Sequence, residues 1–143
     1  MTFQTKPYFR KINYYETDKM GVTHHSNYIR FMEETRVDYL DQIGYSYKRM
    51  QEEGVISPVI SVECEFKTPT TFGDELEIFA KFSKYTGVRF EFEYIMKNKS
   101  TQEIVFTGKS VHCFISNSGK PIIIKKEFPT MHEYFSNIAK KNN

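Results

Sequence analysis

The sequence predicts an α+β fold in which a curled antiparallel sheet wraps around one long central helix. Two patterns lead there. Residues 27 to 43 form a single long run with helical periodicity, and residues 60 to 115 hold four runs of apolar–polar alternation. The sheet has to curl around the helix for both apolar faces to be buried. A chain of 143 residues without repeat, low-complexity tract or linker reads as one domain over residues 1–143.

The expected elements run in order as strand, helix, four strands and a short helix. Tyr8 to Glu16 is rich in Tyr and Phe and reads as a strand. From Asn27 to Ile43, a projection at about 100° per residue puts Tyr28, Ile29, Phe31, Met32, Tyr39, Leu40 and Ile43 on one half. Arg30, Glu33, Glu34, Asp38 and Asp41 occupy the other. Ser26 is the expected N-cap and Gly44 the terminator. So wide an apolar arc suggests a helix largely wrapped by other structure.

In the first strand run, Val62, Cys64 and Phe66 face opposite Glu63, Glu65 and Lys67. After a break at Thr68 to Asp74, Leu76, Ile78, Ala80 and Phe82 alternate with Glu75, Glu77, Lys81 and Ser83. The third run sets Val88, Phe90, Phe92, Tyr94 and Met96 against Arg89, Glu91, Glu93 and Lys97. After a turn at Asn98 to Thr101, a long strand runs from Glu103 to Ile115. Such alternation predicts a four-strand antiparallel meander with one packed face. Pro129 then opens a terminal helix carrying Met131, Tyr134, Phe135 and Ile138.

Composition excludes several functions. The net charge is +2 and opposite charges alternate along the chain, so no basic stripe for nucleic acid exists. No run approaches a membrane span, and Met1 to Pro7 lacks the apolar core of a signal peptide, so a cytoplasmic protein without membrane or nucleic-acid partners is expected. Cys64 and Cys113 lie far apart in apolar runs and read as reduced, buried thiols. A Cys113–His112 dyad fails because neighbours on a strand point to opposite faces. The 13 Phe and 10 Tyr supply broad side chains for packing and subunit contacts.

The segment from Tyr15 to Tyr28 carries the chemistry. It places Asp18 at the end of a strand-like run, then a short loop with Gly21, His24 and His25, then the helix. A carboxylate facing the open N-terminus of a helix suits hydrolysis: the acid serves as base or nucleophile, and unpaired N–H groups receive a developing oxyanion. Asp18 on its own would be an ordinary turn residue. Gly21 provides a positive φ and lets a substrate approach the backbone. His25 is a candidate to orient Asp18 or a water, or simply to line the site. Adjacent histidines rarely chelate one ion, and no third ligand stands at zinc-site spacing, so no metal is expected. Arg36, inside the apolar arc, calls for a carboxylate partner or a subunit boundary. Glu63 and Glu65 read as a solvated or interface face.

These residues resemble the hot-dog-fold thioesterases of the 4-hydroxybenzoyl-CoA thioesterase type, especially the Tol-Pal-associated acyl-CoA thioesterases. Tyr15, Glu16, Thr17, Asp18, Gly21, Val22, His25 and Tyr28 match the pattern of that family, and Glu65 to Pro69 followed by Gly73-Asp74 is similar to its second motif. Thr23 and His24 depart from it where the family usually has Val and often an aromatic. The resemblance implies that Asp18 is the catalytic carboxylate and that the His25 N–H polarises a thioester carbonyl. It implies a site between subunits, lined by Gly21 and Tyr28 and by Val59, Ile60 and Ser61 of a second copy, in a homodimer or homotetramer. The expected activity is hydrolysis of a small to medium acyl-CoA with no cofactor, coenzyme A being part of the substrate. The alternatives are an acyl-thioester hydratase or dehydratase, since the fold hosts both, and a non-catalytic acyl-CoA binding module.

Overall fold

A computed structural model describes residues 5–142 of the chain. The first strand, β1 (Tyr8–Lys11), is shorter than expected. Tyr14–Glu16 is instead a turn of 3₁₀ helix. Its cause is Glu16, whose carboxylate folds back to accept the Asn13 N–H at 2.9 Å while its own N–H donates to the Asn13 carbonyl at 3.0 Å. Tyr14 and Tyr15, the residues that made the segment look like a strand, are exposed.

Helix α1 (Ser26–Ile43) follows. Its N-cap is His25, not Ser26, because the Ser26 hydroxyl is engaged by His24 Nδ1 at 2.8 Å. It ends at Gly44, whose φ of 88° only glycine adopts freely, and a Cβ there would meet the Tyr134 hydroxyl at 2.9 Å. Tyr28, Phe31, Met32, Thr35, Arg36, Tyr39 and Leu40 are buried. The helix is packed along most of its apolar arc as expected, although Ile29 at 46% and Val37 at 43% exposure leave part of that arc uncovered by the described residues of the subunit.

Helix α2 (Tyr47–Glu52) and the two-residue strand β2 (Val55–Ile56) lead into β3 (Val59–Phe66). Then come β4 (Glu75–Tyr85), β5 (Arg89–Asn98) and β6 (Ile104–Cys113). The short strand β7 (Ile115–Ser116), which pairs with β2, precedes α3 (Ile124–Glu127) and α4 (Pro129–Lys141). Pro129 opens α4 as expected.

The main sheet is antiparallel in the order β1-β4-β5-β6-β3. Only β4-β5-β6 is a meander. β3 pairs with β6 rather than β4, which corrects the four-strand reading, since alternation fixes the face of a strand but not its neighbour. Leu76, Ile78, Phe82, Phe92, Tyr94, Met96 and Phe106 line the inner face, and each fully buried aromatic or aliphatic side chain there contributes about 1.5–3 kcal/mol. α1 packs on this face through Tyr28 stacked on Phe106 and Tyr39 set edge-on to Phe92. Phe135 of α4 closes one end against Phe82 and Tyr45. On the outer face the register aligns Glu63 with Lys109, Lys109 with Glu93, and Glu93 with Lys81, a ladder of alternating charge across four strands.

Candidate active site

The loop from Asp18 to Thr23 is a tight reversal. Thr17 and Thr23 bridge antiparallel, the Asp18 N–H donates to the Val22 carbonyl at 2.8 Å, and the Gly21 N–H donates to the Asp18 carbonyl at 2.9 Å. Gly21 takes a φ of 81° with open space where a Cβ would stand, so its glycine serves the turn. Asp18 Oδ1 accepts from the amides of Met20 at 2.8 Å and Val22 at 3.4 Å. Oδ2 enters no hydrogen bond among the described residues. Asp18 is therefore both a turn residue and a half-buried carboxylate with one oxygen left for other work.

That loop is fixed to the segment between β3 and β4. The Thr23 N–H donates to the Thr70 carbonyl at 2.8 Å, and the Thr71 hydroxyl donates to the Gly21 carbonyl at 2.8 Å. The hydroxyls of Thr23, Thr70 and Tyr28 form a buried row, with 2.7 Å between Thr23 and Thr70 and 2.8 Å between Thr70 and Tyr28. Burial raises the Tyr28 phenol above its ordinary value, so it stays protonated and polar without charge.

A second brace comes from Glu16, which is 3% exposed. Its carboxylate accepts from Arg10 Nη1 and Nη2, both at 2.7 Å, and its carbonyl accepts from the His24 N–H and from Asn27 Nδ2, both at 2.8 Å. Arg10 also reaches Glu34 of α1 at 2.9 Å. Burial disfavours the charged guanidinium, but the bonds to Glu16 and Glu34 outweigh it and raise its pKa. One ion-paired cluster thus ties β1, the 3₁₀ turn and α1 together two residues before Asp18.

Around the start of α1 the amides are used unevenly. Those of His24, Ser26, Asn27 and Tyr28 donate to Glu16 O, His24 Nδ1, His24 O and His25 O. Among the described residues the His25 N–H enters none of these bonds. The His25 ring stacks on His24 at 4.2 Å and meets the edge of Phe66 at 6.2 Å.

Asp18, Val22, Thr23, His25 and Tyr28 line an open cleft of about 410 Å³, completed by Phe66, Lys67, Thr68 and Pro69. Of the residues expected at the site, the structure brings together Asp18, His25 and Tyr28. Gly21 shapes the loop without lining the cleft. Val59, Ile60 and Ser61 are exposed at the far end of β3 from Phe66, outside this subunit's cleft. Sequence reasoning missed Phe66 to Pro69 as a wall, although their similarity to a second family motif was the signal for it. Among the described residues no three His, Cys, Asp or Glu side chains cluster to hold a metal ion. Cys64 and Cys113 are free and only half-buried.

The pattern of the thioesterase-like superfamily matches residues 12–135. The crystal structure of DHNA-CoA thioesterase from Staphylococcus aureus has a TM-score of 0.90 to this chain at 32% identity, covering 96% of this chain and 93% of that one. A Bacillus subtilis protein provisionally named acyl-CoA thioesterase YneP is 29% identical over 130 residues, 91% of this chain and 94% of its own. The acyl-CoA thioesterase YbgC of Helicobacter pylori is 29% identical over 126 residues, 82% of this chain and 92% of its own.

Proposed function

The chain belongs to the thioesterase-like superfamily, a family of thioester hydrolases with the hot-dog fold, and from that premise we propose that it hydrolyses a small to medium acyl-CoA to free acid and coenzyme A. The observation that carries the proposal is the placement of Asp18. One of its oxygens is pinned by two loop amides, and the residue shares a cleft with the first turn of α1. The thioester carbonyl lies between them, its oxygen toward the His25 N–H and its carbon toward Asp18.

In one route Asp18 takes a proton from water as the hydroxyl attacks the carbonyl carbon. The tetrahedral oxyanion is held by the His25 N–H and the positive end of α1, the C–S bond breaks, and the thiolate leaves to be protonated. In the other route Asp18 attacks the carbonyl itself and expels the thiolate, and water then hydrolyses the mixed anhydride. Both use the same carboxylate and amide and require no cofactor. His25 and Tyr28 line the approach, and the Tyr28–Thr70–Thr23 hydroxyl row keeps the floor rigid.

Among the described residues the outer edge of β3 is unpaired, and it carries exposed Val59, Ile60 and Phe66. Pairing of that edge with a second copy covers it and brings Val59, Ile60 and Ser61 toward the other subunit's cleft. Light scattering at micromolar concentration tests this, and a monomer refutes it.

Asp18→Asn tests the chemistry. It keeps the size of the side chain and one acceptor for the loop amides, but removes the charge. Thiol release from acyl-CoA substrates is expected to fall by about 10²–10⁴ with little change in melting temperature. Near-wild-type turnover refutes the assignment, and unfolding shows Asp18 to be a structural turn residue.

A further inference from the structure

The two halves of the site sit on different pieces of chain, and one side chain joins them. The Asp18 carboxylate belongs to the loop that leaves the 3₁₀ turn, and the His25 N–H to the start of α1. Asn27, the second residue of α1, sends Nδ2 back to the Glu16 carbonyl at 2.8 Å. Among the described residues it is the only α1 side chain with a hydrogen bond to residues 14–18.

The bond runs the opposite way to a helix cap. A capping side chain accepts from the first-turn amides, whereas Asn27 donates away from the helix. A carbonyl oxygen only accepts, so Nδ2 is the atom that faces Glu16. For the helix alone Asp would serve better here, since negative charge suits an N-terminal end. Helix formation therefore does not account for an amide donor at this position.

The same Glu16 carbonyl accepts the His24 N–H at 2.8 Å, so both of its lone pairs are engaged. The Asn27 N–H in turn donates to the His24 carbonyl at 3.0 Å. That carbonyl belongs to the His24–His25 peptide, which is trans and planar with its C=O and N–H opposed. Holding the oxygen toward Asn27 aims the His25 N–H the other way, out of the helix. On the other side, Glu16 leads through Thr17, which bridges to Thr23, into Asp18.

We propose that Asn27 is a positioning residue: its hold on the Glu16 carbonyl sets the spacing between the Asp18 carboxylate and the His25 N–H. The proposal rests on the assignment of those two groups made above, and Asn27 itself touches neither substrate nor reacting atoms. Without Nδ2, the Glu16 carbonyl keeps its bond to His24, and loss of the half-buried amide leaves room for water. The fold is then little disturbed, but the spacing is held by main chain alone. A misplacement of about 1 Å costs on the order of 10²-fold in rate.

The test is thiol release by the full chain, for wild type, Asn27→Ala, Asp18→Asn and the double variant. The probe is whichever of hexanoyl-, isobutyryl- and benzoyl-CoA the wild type turns over fastest. Asn27→Ala is expected to lower kcat about 10–100-fold and to leave KM within about threefold. Its Tm should fall by less than about 4 °C. A residue needed only for the fold would move Tm and leave the kcat of folded protein unchanged. In the Asp18→Asn background no carboxylate remains to be spaced, so the same change should cost less than about threefold.

Wild-type kcat in Asn27→Ala, a rise in KM alone, or an equal loss in both backgrounds overturns the proposal. If Asp18→Asn is inactive while Asn27→Ala is fully active, the positioning role alone falls. If Asp18→Asn keeps wild-type turnover, or wild type releases thiol from none of the three probes, the assignment of the site falls with it. Should Asn27→Ala fail to fold, Asn27→Ser, whose hydroxyl is too short to reach Glu16, carries the same expectations. If neither folds, Asn27 is structural and the proposal is overturned.

Discussion

Replacing Glu16 by Gln tests whether the ion-paired cluster of Arg10, Glu16 and Glu34 holds the loop beside the cleft in place. Glu16 accepts two bonds from Arg10 at 2.7 Å and one from the Asn13 N–H at 2.9 Å. Gln keeps the shape, but its amide turns a donor toward a guanidinium that also donates. Removing one partner of a buried ion pair costs about 3–5 kcal/mol when the other charge is left alone. Arg10 is not left alone, because Glu34 still holds it at 2.9 Å and its side chain is 17% exposed. The expected loss is therefore smaller, about 2–3 kcal/mol, which for a chain of this size lowers Tm by roughly 6–12 °C. The assay is urea unfolding of Glu16→Gln, Arg10→Met and the double variant. A coupling of at least about 1 kcal/mol between the two sites is expected. Turnover should also drop in the folded protein, because the Glu16 carbonyl anchors His24 and Asn27 beside the cleft. A loss below about 0.5 kcal/mol, the level of an ordinary surface change, or a coupling of zero refutes the reasoning.

The remaining predictions use other parts of the molecule. His112 has a pKa of about 3 in the folded chain against an ordinary 6.5, so between those values the unfolded chain holds a proton that the folded one does not. Its contribution is complete above pH 6.5 and is lost as pH falls toward 3. Wild type should lose about 2 kcal/mol more than His112→Asn between pH 7 and pH 5 by urea unfolding, and equal losses contradict this. At Gly108 an added Cβ would meet the Phe106 ring at 2.7 Å and the Glu63 carbonyl oxygen at 2.8 Å. Gly108→Ala should therefore cost about 1–3 kcal/mol by overpacking. It should also raise KM, since Phe106 carries Tyr28 of the cleft floor, and an unchanged Tm argues against the contact.

Much of this was legible because its signals are local. Leu76, Ile78, Ala80 and Phe82 announce their strand by alternation, and Gly44 ends α1 as its position suggested. Asp18, His25 and Tyr28 meet because only the short loop to His25 and the first turn of α1 link them. What escaped has a physical reason in each case. Tyr14 and Tyr15 mimic a strand, yet they belong to a 3₁₀ turn that the Glu16 side chain closes. Helices α2 and α3 and strand β2 are too short for a period to show. Phe66 to Pro69 reach the cleft only through the pairing of β3 with β6, which no local pattern specifies. Arg36 was placed inside the apolar arc, but Tyr94, which accepts from it at 3.1 Å, and Ser110 and His112, bonded in turn beyond Tyr94, lie on strands whose order the sequence does not declare.

The pairing of β3 with β6 also bears on how the chain is made. Val62 stands opposite Ser110, so the edge strand leaves the ribosome about 48 residues ahead of its partner, a wait of roughly 2–10 s at ordinary synthesis rates. The β4-β5-β6 meander closes from near neighbours and has no such delay. Until β6 emerges, Val59, Ile60, Val62 and Phe66 travel as an unpaired β-branched and aromatic segment on a nascent chain. Glu63 and Glu65, set between those apolar positions, give that segment negative charge while it waits. They act as gatekeepers during synthesis before they become part of a folded surface.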